Sequence, residues 1–462
     1  MGIRIRSGRI TAGVAAVTLL AAGCASAQAV QPPRAVQPPL AVSRGTAVSR
    51  GTAVSRGTAV SRGTAAAEPT ADPGPYGAGD TAFGLNVLHA WCQSEPADNL
   101  VLSPASLATG LGMAYLGSRG STAQAMASVL HLPVVGAGGS GADAGTNPAA
   151  DQALLAGLQA RTAALGQLNG PGVKLAASNQ VWADPSLPTL RSYLNALATA
   201  YRAGVNRVPM LTNPAQAAQQ IDQAISAATD GQIPKLLSPG MLHGLGWVLT
   251  SALYLNAVWA TPFQPSKTAP GQFTTATGKT VTANFMNGSG FRVGTADGWT
   301  GVSLPYRGGK VAMVALLPPA SSANTATASS CATPSVAALD AITDASRLGS
   351  LVLPKVNLRS DASMKDLLSG LGMGIAFGGG ANFSGLSSQA CCIGVVQQAA
   401  TLRVNEKGTV AAAATAVGIV ASAAQAPVGP QIVFNRPYLL LVTSVTTGEP
   451  LFVVRVANPA TS

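Results

Sequence analysis

One long segment near the C-terminal end of the chain carries neither a charge nor a proline. It runs from Thr409 to Ala426 and follows Glu406, Lys407 and Gly408. A glycine at 408 permits backbone angles that other residues adopt only with strain, so it can act as a pivot. Beyond it, one face of an extended chain would carry only small residues: Thr409, Ala411, Ala413 and Thr415. The pattern predicts a mobile segment able to enter a β-sheet as a strand or, because alanine has the highest helix propensity, a helix.

Short motifs elsewhere in the chain accompany this segment in a fixed order. Along the sequence they are NLVLSPAS at 99–106, LYLNAVW at 253–259, LPY at 304–306, LPK at 353–355, FSG at 383–385, FNRPYLL at 434–440 and PLFVVRVANP at 450–459. No single motif is decisive, but the ordered series resembles the serpin family over about residues 82–460. The resemblance favours the strand-forming interpretation of the uncharged segment.

Helix signals dominate the first part of the chain body. Ser103 before Pro104 and Asn213 before Pro214 each combine a capping side chain with a proline at the first helical position. Ser121, with Gln124 three residues later, has the spacing of a capping box. These residues predict three helix starts.

Strand signals dominate the later part. Buried strands are predicted at 248–258, 439–445 and 451–456, and a hairpin at 302–317 around Arg307-Gly308-Gly309. Helices first and strands later indicate an α+β domain. The resemblance implies the serpin fold, with three β-sheets, eight or nine helices and an exposed reactive-centre loop, in one domain at 75–462.

The first 74 residues are predicted to lie outside that domain. Residues 1–24 contain three arginines, an apolar run and Cys24, which is the layout of an export signal. Because the end of this signal resembles a bacterial lipobox, we expect lipidation at Cys24, with plain secretion as the alternative. Residues 25–74 include six hexads that each begin with Ala-Val and have too little apolar content to fold, so they predict a tether. The domain is then expected outside a bacterium, secreted or held at the cell-surface membrane by its lipid.

The net charge of +11 does not indicate nucleic-acid binding. Residues 1–64 hold eight of the 28 basic residues and no acidic one, so the rest of the chain has 20 basic and 17 acidic residues and a net charge of +3. A folded body near neutrality gives no reason to expect phosphate binding. His89, His131 and His243 have neither metal-ligand spacing nor a nucleophile motif beside them, so no metal, cofactor or enzymatic activity is expected.

Four cysteines remain besides Cys24: Cys92, Cys331, Cys391 and Cys392. Export would permit disulfide bonds. Cys331 lies in a Ser/Ala/Thr-rich stretch at 320–335 that has the composition of a surface insertion. Both a disulfide from Cys331 to Cys391 or Cys392 and free thiols at these three positions stay open.

The resemblance implies a suicide-type inhibitor of serine proteases that forms a covalent complex with its target. In serpins the protease cleaves the reactive loop, and the freed arm enters the largest sheet as a strand. The hinge would be formed by Glu406, Gly408, Thr409, Ala411, Ala413 and Thr415. Counting fourteen residues past Gly408 places the reactive bond between Ser422 and Ala423, within a wider range of 420–425. Since these residues are uncharged, an elastase-like or subtilisin-like protease is the expected target.

The resemblance also implies a region where the sheet opens, formed by Ser103, Ser106, Ser251, Gln398 and Trp259. Two of these positions depart from the family pattern, which has asparagine at 251 and histidine at 398. In serpins those two residues hydrogen-bond to each other. Serine and glutamine can still do so, or the network has been lost.

A non-inhibitory carrier or surface interaction protein with the serpin fold is the alternative function. Non-inhibitory members often carry bulky, charged or proline residues in the hinge, and this chain does not. A monomer is expected in either case.

Overall fold

Eight α-helices occur among the described residues, and six of them precede residue 230. Ser103 and Asn213 cap α2 and α6 as predicted, since each side chain accepts a hydrogen bond from a backbone N–H three residues ahead. The helices are α1 (Gly74–Ser94), α2 (Pro104–Tyr115), α3 (Gly120–Val129), α4 (Gln152–Gly166), α5 (Arg191–Tyr201), α6 (Pro214–Ala228), α7 (Val336–Thr343) and α8 (Lys365–Leu368).

The predicted capping box at the start of α3 is wrong. The helix begins at Gly120, and the residue before it, Arg119, makes no side-chain cap. A distant segment fixes this helix end instead: the N–H of Arg119 donates to the carbonyl of Asn382, and the N–H of Asn382 donates to the Thr122 hydroxyl. The spacing of Ser121 and Gln124 could not reveal such a tertiary contact.

Sixteen strands are described, and they form two hydrogen-bonded sheets. The hairpin predicted at 302–317 is confirmed as β8 and β9, with Gly308 and Gly309 of its turn at φ 86° and 70°. The strands are β1 (Val60–Ser61), β2 (Leu100–Leu102), β3 (Val173–Ala183), β4 (Val205–Arg207), β5 (Trp247–Val258), β6 (Ala269–Thr274), β7 (Thr280–Ala296), β8 (Trp299–Pro305), β9 (Val311–Leu317), β10 (Leu348–Pro354), β11 (Val356–Ser363), β12 (Val396–Asn405), β13 (Gly408–Thr409), β14 (Gln431–Val433), β15 (Tyr438–Ser444) and β16 (Pro450–Val456).

The seven-stranded sheet has the order β1-β4-β3-β5-β13-β12-β11. Its two central strands, β5 and β12, run parallel and pair directly where Val396–Ala400 face Leu249–Leu253. Towards the other end of the same strands, the two-residue strand β13 lies between them and pairs antiparallel with both. The sheet is therefore closed along one part of its centre and parted at the other.

Three sheets were predicted, and two are described, because the nine-stranded sheet joins what would otherwise be two smaller sheets. Its path runs β14-β10-β7-β8-β9-β15-β16-β2, with β6 paired to β7 off this path. The 17-residue strand β7 joins its two halves, because residues 280–292 pair with β6 and β10 whereas residues 292–296 pair with β8. The serpin fold with its mixed helices and sheets is confirmed.

The largest buried cluster lies between the two sheets. Side chains of the seven-stranded sheet, such as Leu253 and Leu402, meet side chains of the nine-stranded sheet, such as Met313 and Leu440, all at most 2% exposed. The burial of these two apolar sheet faces against each other stabilises the fold through the hydrophobic effect.

The computed structural model describes residues 60–61, 71–133, 148, 151–319, 331–409 and 429–460, which belong to one compact unit, Gly57–Ser462. The predicted export signal with Cys24 and most of the predicted tether lie outside the described residues. Within the tether, Val60 and Ser61 form β1 and pair with Asn206 and Val205 of β4.

A disulfide joins Cys331 to Cys92, so the pairing considered with Cys391 or Cys392 is wrong. Cys92 lies near the end of α1, and the two Cα atoms are 5.5 Å apart although 239 residues separate them in sequence. Cys391 and Cys392 are free thiols, and their sulfur atoms lie 3.2 Å apart. The stretch before Cys331 gave no sign that its end returns to the first helix.

Candidate functional site

The candidate site is the point where the uncharged segment leaves the seven-stranded sheet. Gly408 pairs with Asn405 of β12 and with Val258 of β5, and Thr409 is fully buried between the same strands. Gly408 has φ 155°, and a Cβ atom there would lie 2.0 Å from the carbonyl oxygen of Ala257. Only glycine fits this position, because any side chain would collide with the backbone of β5.

Tyr306 receives the first buried side chain of the segment. Its hydroxyl hydrogen-bonds to Oγ1 of Thr409 at 2.5 Å, and its ring stacks on Trp259 with 4.4 Å between ring centroids. Burial raises the pKa of Tyr306 far more than the bond to Thr409 lowers it, so the phenol stays protonated. Trp259 in turn donates its indole N–H to the carbonyl of Asn405 at 2.9 Å. The two stacked rings thus hydrogen-bond to β12 and to β13, the short strand that lies in the gap.

The turn between β12 and β13 is fixed by four further hydrogen bonds. The backbone carbonyls of Glu406 and Lys407 accept from the N–H groups of Phe263 and Trp259. Oε1 of Glu406 accepts from the Thr268 hydroxyl at 2.9 Å and from Nζ of Lys355 at 3.1 Å. Burial acts to raise the pKa of Glu406, but hydrogen bonds from its own backbone, Lys355 and Thr268 outweigh burial and leave that pKa below its ordinary value. The carboxylate is therefore ionised at neutral pH.

The region predicted to control sheet opening lies further along β5 and β12. Gln398 and Ser251 are register partners, and Nε2 of Gln398 donates to the backbone carbonyl of Ser103 at 3.1 Å. The Ser103 hydroxyl donates to the carbonyl of Leu451, and Ser106 is buried one helical turn away. Oε1 of Gln398 is buried without a hydrogen-bond partner among the described residues. The side chain of Ser251 is outside the description.

Trp259 does not share that cluster with the other four residues. It follows the end of β5, beside β13, whereas Ser251 lies in the middle of the strand. The structure therefore places the predicted opening residues in two groups, one at the parted end of the sheet and one where β5 and β12 pair directly.

The remaining predicted positions lie in residues 410–428, outside the described residues. They are Ala411, Ala413 and Thr415 of the hinge and Ser422 and Ala423 of the reactive bond. The description resumes at Gly429, after which β14 pairs in parallel with β10 of the nine-stranded sheet. Both attachments of the segment are thus defined: β13 on one sheet and β14 on the other.

Several residues at the site were not predicted from the sequence. Tyr306 and Lys355 occur in the LPY and LPK motifs of the ordered series that resembles the serpin family, and that resemblance was the available signal. Asn405, whose side chain accepts from the backbone N–H groups of Lys407 and Gly408, carried the signal of an Asx turn before glycine. Thr268 offered no signal. Among the described residues, no three His, Cys, Asp or Glu side chains lie close enough to hold a metal ion.

Comparisons with known proteins agree with this architecture. A serpin (serine protease inhibitor) family model matches residues 78–459. Serpin-Z7 of Hordeum vulgare is 30% identical over 83% of this chain and 96% of its own length, and an uncharacterised serpin-like protein of Thermococcus kodakarensis is 29% identical over 78% and 81%.

Solved structures show the same fold. The thermophilic serpin tengpin in its native state superposes with a TM-score of 0.71 at 23% identity, over 87% of this chain and 99% of its own. Uncleaved ovalbumin gives a TM-score of 0.69 at 21% identity, over 84% and 100%. The family match, the sheet order and the hinge geometry lead to one conclusion: this chain belongs to the serpin family.

Proposed function

We propose that this serpin inhibits serine proteases by cleavage of its loop and insertion of the cut segment into the seven-stranded sheet. The observation that carries the proposal is β13: Gly408 and Thr409 already lie between β5 and β12, and the segment that follows has no charge or proline up to Ala426. A serpin inhibitor holds its protease as an acyl-enzyme while the freed arm adds a central strand.

The side chains of the segment permit that insertion. On the face that begins with the buried Thr409, each of Ala411, Ala413 and Thr415 is small and uncharged. A buried unpaired charge on this face would cost several kcal/mol, and a proline would remove a backbone donor from the ladder. The composition of the segment therefore supports an inhibitor.

The reactive bond is proposed between Ser422 and Ala423, within residues 420–425. All of these residues are uncharged and most are small. A protease that accepts them has a shallow apolar pocket, as elastase-like and subtilisin-like serine proteases do. A trypsin-like protease requires arginine or lysine at the cleavage position, and this range contains neither.

A non-inhibitory carrier is the second candidate, and Gln398 favours it. Its Oε1 is buried without a partner among the described residues, at the place where β5 and β12 must separate. If Ser251, whose side chain is outside the description, leaves this oxygen unpaired, the closed sheet loses about 1–3 kcal/mol. A sheet weakened in this way would open before a protease arrives, and the inhibitor would be spent.

The proposed location is outside a bacterial cell, as a monomer secreted or anchored through a lipid on Cys24. No helix among the described residues is both long and apolar enough to cross a bilayer. Growth with radiolabelled palmitate should label the full-length protein but not its C24S variant. Labelling of neither protein would leave plain secretion as the proposal.

Mixing the full-length protein with elastase, subtilisin or trypsin tests the inhibitory function. With elastase or subtilisin we expect a complex that survives SDS gel electrophoresis, because the acyl bond to the loop is covalent. Trypsin should give no complex. Cleavage near residue 422 by elastase or subtilisin without any stable complex would overturn the proposed inhibitory function and favour the carrier.

A further inference from the structure

A cavity of about 340 Å³ opens beside the hinge. Its lining residues include Trp259, Thr261, Ser289, Phe291, Arg292 and Leu348. The volume lies within the range of small-molecule sites, and aromatic surface combined with a few polar groups is the usual composition of such sites. Nothing in the hinge mechanism requires this space.

A β-bulge shapes the opening of the cavity. The register of β7 and β10 shifts between Gly349 and Ser350, and the extra residue on β7 is Gly290, with φ 83°. Bulges re-aim side chains and are frequent next to functional sites. Just beyond the shift, Arg292 and Leu348 are register partners, so one cation and one aliphatic side chain flank the same opening.

Both flanking side chains are exposed to solvent. Leu348 is 52% exposed, which is unusual for a large apolar residue, and Arg292 forms no ion pair with any described residue. Arg292 is also the one charged residue in the lining, so no carboxylate competes for it there. An anionic group would find a single unopposed guanidinium, and an apolar body would find the exposed Leu348, with the largely buried rings of Trp259 and Phe291 behind it.

We propose that this cavity binds an anionic amphiphile: a carboxylate, sulfate or sulfonate on an aromatic or aliphatic body of drug-like size. The guanidinium of Arg292 binds the anion through charge-assisted hydrogen bonds. The hydroxyls of Thr261 and Ser289 are further donors in the lining. The apolar body displaces water chiefly from Leu348, which is 52% exposed.

The cavity also touches both attachments of the reactive segment. Trp259 binds Asn405 and stacks on Tyr306, which holds Thr409. On the other side, Leu348 begins β10, where Ser350 donates to the carbonyl of Pro430 as the chain returns. The effect of the ligand on insertion rests on the proposed function. A ligand that binds the sheet more tightly before insertion than after it shifts the population towards the state before insertion and slows insertion.

Fluorescence titration of the full-length protein tests the site. The probe is 1-anilinonaphthalene-8-sulfonate, and the matched control ligand is N-phenyl-1-naphthylamine, which has the same aromatic body without the sulfonate. We expect saturable binding of the sulfonate at one site. R292Q should weaken it about ten-fold, the ratio that corresponds to about 1.4 kcal/mol, and should leave the neutral ligand unchanged.

Two leucine variants separate this site from non-specific apolar binding. L348S should weaken both ligands. L190S should weaken neither, because Leu190 is 43% exposed but lies outside the cavity lining. Equal binding of the sulfonate to the wild type and R292Q, or equal losses in L348S and L190S, would overturn the site. Unchanged thermal melting of each variant confirms that it is folded.

The rate of complex formation with subtilisin tests the link to insertion. Sulfonate at the wild-type Kd should slow this rate measurably in the wild type and much less in R292Q, because the ten-fold weaker site is then about one-tenth occupied. An identical rate with and without the sulfonate would overturn the link while the binding result stands. Absence of any complex without the sulfonate would instead count against the proposed function, and the titrations would still decide the site.

Discussion

Thr409 is the residue on which the proposed strand insertion most directly depends. It is fully buried between β5 and β12, and its hydroxyl is bonded to Tyr306. Arginine at this position would place an unpaired charge in the sheet, at a cost of several kcal/mol. We therefore expect T409R to be cleaved by subtilisin at the wild-type rate but to form no SDS-stable complex.

T409S is the matched control, because it keeps the hydroxyl that Tyr306 binds. It should form the complex as the wild type does. Circular dichroism of both variants before the reaction distinguishes failure to insert from failure to fold. A folded T409R that still traps subtilisin would contradict insertion through the position of Thr409.

Glu406 gives the hinge a pH dependence whose sign follows from its pKa. The pKa is lowered in the folded protein, so the carboxylate contributes stability above its unfolded value of about 4.3, and this contribution is lost as pH falls through the lower folded value. Lys355 is 39% exposed, so the ion pair contributes about 1 kcal/mol or less. The urea midpoints of the wild type and E406Q should differ at pH 7, and the difference should shrink progressively as the pH falls below the unfolded pKa of about 4.3. A difference that does not change with pH would contradict an ionic role for Glu406.

Among the structural elements, α1 is joined by a disulfide to Cys331, the residue that precedes the loop leading to α7. It links Cys92 to Cys331 across 239 residues, and a loop closed over such a distance stabilises the fold by about 2–5 kcal/mol. C92S should therefore unfold at a lower urea concentration, and dithiothreitol should shift the wild type by the same amount. The double variant C391S/C392S is the control and should match the wild type. Equal midpoints for C92S and the wild type would contradict a structural disulfide.

Local signals in the sequence predicted some elements and missed others for a physical reason. The prolines after Ser103 and Asn213 and the paired glycines at 308 and 309 act through their own backbone, so α2, α6 and the β8–β9 hairpin were predictable. The start of α3 depends on Asn382, which lies more than 250 residues away. Cys92 and Cys331 are likewise brought together by folding alone.

The candidate site was predictable in the same partial way. Glycine at 408 and the alternating small residues identify a segment suited to a sheet. How much of it already lies in the sheet depends on the separation of β5 and β12, which long-range packing decides. The side-chain partners of Glu406 and Thr409 come from three distant parts of the chain. Among them only Tyr306 and Lys355, which occur in the LPY and LPK motifs, carried a signal in the sequence.

For the whole molecule, the proposed insertion requires a fold that has not reached its most stable state. β5 and β12 pair directly along Val396–Ala400, so a full strand between them would replace those hydrogen bonds with two new ladders. Cleavage of the loop frees its N-terminal part from β14, so that its residues can enter the seven-stranded sheet. After cleavage near residue 422 we expect the melting temperature to rise by about 10 °C or more, since several kcal/mol correspond to roughly that shift in a large domain.

Differential scanning calorimetry of the intact and cleaved protein measures this shift. T409R is the internal control, because insertion of its cut segment would require an unpaired arginine to be buried between β5 and β12, so cleaved T409R should melt as intact T409R does. An unchanged melting temperature after complete cleavage of the wild type would mean that the segment stays outside the sheet. The gap between β5 and β12 would then accommodate β13 but no further residues of the segment, and inhibition by insertion would be excluded for this chain.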